Sequence, residues 1–528
     1  MTKRAAILVA VGATVAGLLA AGPAPAAATG ASAPPVPEAR WADCPTEDYP
    51  RLQCAKVRVP LDHARPTGRH ITLALSRVPH TAKTFQGPLL VNPGGPGGSG
   101  LSMAGFVASS LPREVAAQYD VIGFDPRGVG RSTPALDCLP GHFDPVRPAS
   151  VPGLSRQERI NRDRAEAFAR ACGEKHGDVL PYLDTVSAAR DLDVIRRALG
   201  AERINYFGYS YGTYLGAVYA KLHPQRVRRL VLDSVVDPDG VWYEGNLGQD
   251  HAFDDRHKAF SAWVAKHDAA YGLGSDPARV EAAWYRMRAD VAREPAGGTV
   301  GAGELEDAFL PGGYYNGYWP YLAEAFAAYV KDGDAEALVE VYEDFGAVDA
   351  SGDNGYSVYA AVQCRDAAWP RHWSTWRNDS RRIHAQAPFI TWNNTWYNAP
   401  CAHWPVGPLR PPRVANDALP PALLLQATGD AATPYGGAVS MKRKLRGSSL
   451  VVEEGGGNHG IALSGNDCLD RHLTAYLTDG TVPRGHGEAD AVCAALPDPK
   501  PLPAAKAAAQ SVDGSEGSRL HGLLGFRR

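Results

Sequence analysis

Short apolar runs broken by glycine loops organise the first half of the chain. Residues 87–92 (Gly-Pro-Leu-Leu-Val-Asn) feed the loop 93–100, and residues 119–125 (Tyr-Asp-Val-Ile-Gly-Phe-Asp) feed the turn 126–132. Between 188 and 199, apolar residues at 192, 195, 198 and 199 recur at helical spacing. A strand is predicted at 204–209, an alanine-rich helix directly after it, and a further strand at 227–236. Strands that are continuously apolar and alternate with helices fit an α/β fold, a mostly parallel sheet with helices covering both faces.

From about residue 241 to 404 the texture changes. Ten of the eleven tryptophans fall here (242, 263, 284, 319, 369, 373, 376, 392, 396 and 404), and helical patterns such as 321–342 replace the alternation. This reads as a large, mainly helical cap whose aromatic residues pack its core, several of them also walling a pocket. Strand patterns return at 421–428 and 449–453, followed by a helix at about 468–478. The expected organisation is a leader at 1–28, a Pro/Ala-rich lead-in at 29–39, a core at 40–238, the cap at 239–415, the rest of the core at 416–497, and a low-complexity tail at 498–528, disordered or draped on the surface.

Composition sharpens this reading. Lys3-Arg4, the apolar run 5–21 and the small residues 24–28 follow the order of a secretory signal peptide, and the run is too short and glycine-broken to span a bilayer. Export agrees with eight cysteines, which fall into four near-neighbour couples: Cys44 with Cys54, Cys138 with Cys172, Cys364 with Cys401, and Cys468 with Cys493. Neither a CxxC nor a paired-histidine spacing suggests zinc. A formal charge of −3 gives no reason to invoke nucleic acid.

The chemistry concentrates at Gly208-Tyr209-Ser210-Tyr211-Gly212, a G-x-S-x-G pattern between a predicted strand and a predicted helix. Such an elbow exposes the serine at the sheet edge, with the helix N-terminus behind it and the Tyr211 amide aimed at a developing oxyanion. A serine hydroxyl needs a neutral histidine to take its proton and a carboxylate to fix that histidine's tautomer. In the chain order Ser, Asp, His, the candidates are Asp430, just past a strand end, and His459, in a glycine-rich loop after the next strand. Asp233 and Asp237 are alternative acids, and His223 and His472 alternative bases. The loop 94–100 lacks the lysine and Ser/Thr of a phosphate-binding loop. It follows an early strand, where a second oxyanion donor belongs; Pro96 has no amide hydrogen, so Gly95 or a flanking glycine must supply it. A histidine base predicts activity that falls below about pH 6 to 7.

Four segments together, Asn92 to Gly100, Asp125 to Ser132, Gly208 to Gly212 and Gln426 to Tyr435, resemble the secreted tripeptidyl aminopeptidases of actinomycetes, over about residues 40–495. The resemblance implies an α/β-hydrolase fold related to proline iminopeptidases, release of short peptides, typically three residues, from free N-termini, and no metal or cofactor. This chain departs from that pattern at Asp430-Ala431-Ala432, where the family usually has Asp-Pro-Val, and at Gly456-Gly457-Asn458-His459-Gly460, where the family loop is tighter. In the related iminopeptidases, cap glutamates anchor the substrate amine. Asp366 and Glu244 are the candidates here, each equally readable as an ordinary salt-bridge partner. The reading is therefore an exported, monomeric serine exopeptidase acting on peptide or protein N-termini, with no stable membrane association. The alternatives are an exported hydrolase of esters, lactones or antibiotics, and a binding protein on a hydrolase scaffold.

Overall fold

The structure is a computed structural model that describes residues 36–153, 155–503 and 515–524. The expected leader, the start of the lead-in and part of the tail lie outside them. Ten strands form one sheet: β1 (Ala42–Asp43), β2 (Gln53–Pro60), β3 (His70–Val78), β4 (Pro88–Asn92), β5 (Asp120–Phe124), β6 (Ile204–Tyr209), β7 (Val227–Asp233), β8 (Leu423–Ala427), β9 (Ser449–Glu454) and β10 (Ala491–Ala494). Their spatial order is 1-2-3-5-4-6-7-8-9-10. The pairings among β1, β2, β3 and β5 are antiparallel, and every pairing from β5–β4 to β9–β10 is parallel.

The helices that bear on the site are α1 (Leu101–Ser110), α2 (Thr185–Ala198), α3 (Tyr211–Leu222), α4 (Tyr243–Lys266), α5 (Ala350–Asp366), α6 (Thr391–Asn398), α7 (Asp467–Asp479) and α8 (Glu516–Leu524). Successive strand residues point to opposite faces, so each parallel strand feeds two cores. Leu89, Val91, Phe207, Val231 and Leu425 pack with residues of α1, α7 and α8. Leu90, Tyr206, Leu232 and Leu424 pack with residues of α2 and α3 on the other side. This is why those strands read as unbroken apolar runs.

Several expectations change. On the antiparallel edge, β2 forms no apolar run but alternates buried and exposed residues along Ala55 to Val59. The strand predicted to 236 ends at Asp233, because Ser234 turns the chain at φ 57°. The pattern at 321–342 is two helices, Trp319–Asp332 and Ala335–Phe345. Gly333, at φ 69°, closes the first, and the Asp334 carboxylate caps the second by accepting the Glu336 and Ala337 amides. The expected surface tail contains α8, whose Leu520, His521 and Leu524 are buried.

The cap inserts between β7 and β8. Much of it packs around its own core, including Trp263, Trp284, Trp319 and Phe326, while Trp242, Trp369 and Trp376 join the core beneath. Disulfides join Cys44–Cys54, Cys138–Cys172, Cys364–Cys401 and Cys468–Cys493. Each constrains the unfolded chain, worth about 2–4 kcal/mol.

Candidate active site

β6 ends at Tyr209 and α3 begins at Tyr211, leaving Ser210 in the turn at φ 56° and ψ −128°. A side chain in that region of backbone space costs on the order of 1–3 kcal/mol. The surroundings hold it there: the Ser210 amide donates to the Asp233 carbonyl at 3.0 Å. The Thr213 amide and hydroxyl donate to the Ser210 carbonyl at 2.8 and 2.6 Å. The elbow's glycines are required by close approach. A Cβ on Gly208 would meet the Gly212 carbonyl oxygen at 2.4 Å, one on Gly212 would meet Asn92 Oδ1 at 2.8 Å, and one on Gly94, in the loop after β4, would meet Ser210 Cβ at 2.8 Å.

Tyr211 opens α3, so its amide has no carbonyl one turn earlier to bind. Gly95, at φ 104°, follows β4 in the glycine loop and lines the same cavity as Ser210 and Tyr211. That loop is fastened by Asp125, whose buried carboxylate accepts the Ser99 hydroxyl at 2.6 Å, the Gly100 amide at 3.2 Å and the Arg131 amide at 2.8 Å. The second signature residue of that turn, Arg127, is buried elsewhere, in a bidentate pair with Asp191 at 2.7 Å on both oxygens. Asp125 thus fastens the loop that carries Gly95, whereas Arg127 braces the fold.

His459 and Asp430 meet as the chain order predicts. Nδ1 of His459 lies 3.0 and 2.9 Å from the two Asp430 oxygens, and both residues are buried. The Asp430 carboxylate also accepts the Ala432 and Thr433 amides at 3.0 Å and the Thr433 hydroxyl at 2.8 Å. A carboxylate only accepts, so the ring proton sits on Nδ1 and Nε2 becomes the basic nitrogen. Ser210, His459, Gly95 and Tyr211 line one cavity of about 390 Å³. Of the alternatives, Asp233 binds the backbone amides of Ile461 and Ala462, Asp237 lines the cavity and accepts the Asp239 amide at 3.0 Å, His223 follows the end of α3, and His472 lies on α7.

The two amine-anchor candidates need correction, since neither lines the cavity. Asp366 is buried behind it, accepting the Thr185 amide at 2.8 Å, the Thr185 hydroxyl at 2.6 Å and the Trp242 indole at 3.3 Å. Burial pushes its carboxyl up to about 7. The same Thr185 hydroxyl is 2.8 Å from the Tyr211 hydroxyl, so Asp366 braces the residue next to Ser210. Glu244 is exposed on the first turn of α4. Among the described residues, the carboxylates lining the cavity are Asp237 and Asp349, and its cap side presents the amides of Asn246, Gln249, Gln363 and Asn394. Trp242 is the one tryptophan among the described residues to line it; tyrosines 314, 356, 359 and 397 take the place expected of the others.

Three groups take positioning roles: Asp233, which the sequence offers only as an acid, and Ser234 and His521, which it does not single out. Asp233 and Ser234 hold the histidine loop from beneath, the Ser234 hydroxyl accepting the Gly460 amide at 2.7 Å. His521 reaches the same loop from α8, its Nε2 lying 2.7 Å from the His459 carbonyl.

Residues 87–465 match the family described as alpha/beta hydrolase fold. The chain is 45% identical over 474 residues to the tripeptidyl aminopeptidase of Streptomyces coelicolor, covering 87% of each protein. It is 34% identical over 455 residues to serine protease Hip1 of Mycobacterium tuberculosis, covering 81% of this chain and 86% of that protein. A protein of the same organism named carboxylesterase B is 34% identical over 471 residues, covering 85% of this chain and 89% of that protein.

Proposed function

The chain belongs to the α/β-hydrolase family, among relatives that include tripeptidyl aminopeptidases, and from that membership we propose an exported serine exopeptidase that releases tripeptides from free peptide N-termini. The Ser210 hydroxyl attacks the third peptide carbonyl as His459 Nε2 takes its proton, with Asp430 holding the ring. The amides of Tyr211 and Gly95 receive the oxyanion. Collapse of the tetrahedral intermediate breaks the C–N bond, and the proton passes from His459 to the departing amine. Water then repeats the sequence on the acyl-enzyme, freeing the tripeptide and Ser210.

The observation that carries this reading is the His459 Nδ1 to Asp430 contact of 2.9 Å within the wall of the cavity that Ser210 also lines. Four disulfides support export, since they persist in oxidising compartments. No described helix is long and apolar enough to cross a membrane. The relative named carboxylesterase B supports a second reading, ester hydrolysis by the same groups, because esters are the easier substrates of this machinery.

Mass-spectrometric product analysis separates the two. One peptide is supplied with a free and with an acetylated N-terminus to the mature protein and to Ser210→Ala. Tripeptides from the free peptide alone, and from the intact enzyme alone, support the exopeptidase. A simple ester cleaved while both peptides survive would leave the serine chemistry and remove the peptidase.

A further inference from the structure

Beyond the contact of His521 with the His459 carbonyl, α8 reaches the cavity itself. Its last residues, Gly522, Leu523 and Leu524, line the same cavity as Ser210 and His459. Leu520 and Leu524 are buried in the core shared with Tyr209 and Ile461, which anchors the helix beneath the site. The fit is close at Gly460, where a Cβ would come within 2.7 Å of Leu524 Cδ1. His521 stacks on Tyr315 at 4.1 Å between ring centroids, and its Nε2 faces the His459 carbonyl. The neighbouring Tyr314 carbonyl accepts the His459 amide at 2.8 Å. Cap and C-terminal helix therefore grip the backbone of His459 from either side.

Which end of the substrate meets α8 follows from the chemistry. His459 gives its proton to the departing amine, so the first residue of the leaving peptide emerges on the histidine's side of Ser210. The acyl part extends away from the histidine. On the histidine's side, the surface next to Gly460 is apolar and comes from α8. Leu523 is only partly buried, so it has surface to offer a ligand.

Building on the exopeptidase reading, we propose that α8 forms the leaving-group subsite, in which Leu523 contacts the fourth residue of the substrate and favours an apolar side chain there. A carboxylate at that position would lose its hydration against leucine side chains without gaining a partner.

Three substrates test this: a tripeptide amide, whose leaving group is ammonia, and the same tripeptide extended by leucine or by aspartate. The wild-type enzyme is expected to favour leucine over aspartate. In Leu523→Ala, the ratio of kcat/KM for the leucine substrate to that for the amide falls by on the order of tenfold, the scale of losing several methylene contacts. Leu523→Met, which keeps volume and polarity, restores most of that ratio. Fluorophosphonate labelling of each variant shows that its serine site is assembled. An unchanged ratio in labelled Leu523→Ala, or equal falls on the leucine substrate and the amide, overturns the subsite. A wild-type enzyme that cleaves none of the three overturns the exopeptidase reading itself, and the subsite with it.

Discussion

Asp233, the last residue of β7, accepts the Ala462 backbone amide at 2.7 Å and thereby ties the sheet to the loop that carries His459. A second bond, from the Ile461 amide at 3.0 Å, uses the same oxygen. An asparagine here would turn an NH₂ group or a single carbonyl toward donors that now share a carboxylate. Asp233→Asn should cost about 1–3 kcal/mol of stability, the penalty for stranding a buried donor. It should also lower kcat more than it raises KM, because the loop positions the base without lining the substrate. Urea denaturation and steady-state kinetics read both, and a change in KM alone would contradict the positioning role.

Ser210 is strained for a purpose that glycine would not need. Ser210→Gly removes the nucleophile and relieves about 1–3 kcal/mol of backbone strain, against an entropic cost of about 0.5–1 kcal/mol for glycine in the unfolded chain. The variant should be inactive and melt at or above the wild-type temperature, whereas Ser210→Ala should be inactive without that gain. Calorimetry of the three proteins decides it. A glycine variant that melts well below the alanine one would mean that the turn is not strained.

The parts of this architecture legible in the sequence are those where a local rule acts alone. The elbow announces itself because Gly208 and Gly212 are sterically required within a few residues of Ser210. Asp430 and His459 follow from chain order and strand-end position. β2 was missed because it lies on the antiparallel side, where alternate residues face solvent and no apolar run forms. α8 was missed because its composition is that of a tail, and only the distant Tyr315, Gly460 and Tyr209 give its leucines and His521 something to pack against. Asp366 misled for a related reason. Sequence places a carboxylate on a cap helix but not the face it uses, and the Thr185 hydroxyl that claims it lies 181 residues earlier.

Asp430→Asn keeps the shape of the site while changing its protons. The amide NH₂ would face Nδ1, or its single carbonyl would have to serve His459, Ala432 and Thr433 together. The ring is then driven toward the tautomer with its proton on Nε2, which cannot accept from Ser210. A drop in kcat of roughly four orders of magnitude is expected, as for the corresponding exchange in other triads, with the fold intact by circular dichroism. A loss below about tenfold would point to another acid.

Asp366 makes stability depend on pH in a direction opposite to that of most carboxylates. Burial, with Asp184 nearby, pushes it up to about 7, although the Thr185 amide and hydroxyl and the Trp242 indole favour its charged form. An unfolded aspartate titrates near about 3.9. The folded state thus holds the proton more tightly, so the stabilisation is complete below about pH 4 and is lost as pH rises through about 7. A shift of that size corresponds to on the order of 4 kcal/mol across the window. Asp233, also raised to about 7, and Asp470, raised to about 6, add the same slope, so the test is a difference. Asp366→Asn carries no titrating proton. Its stability relative to wild type should therefore improve steadily from pH 4 to pH 8 in urea titrations, whatever fixed cost the lost Trp242 bond imposes. A wild-type to variant difference independent of pH would mean that Asp366 keeps an ordinary carboxylate pKa in the fold.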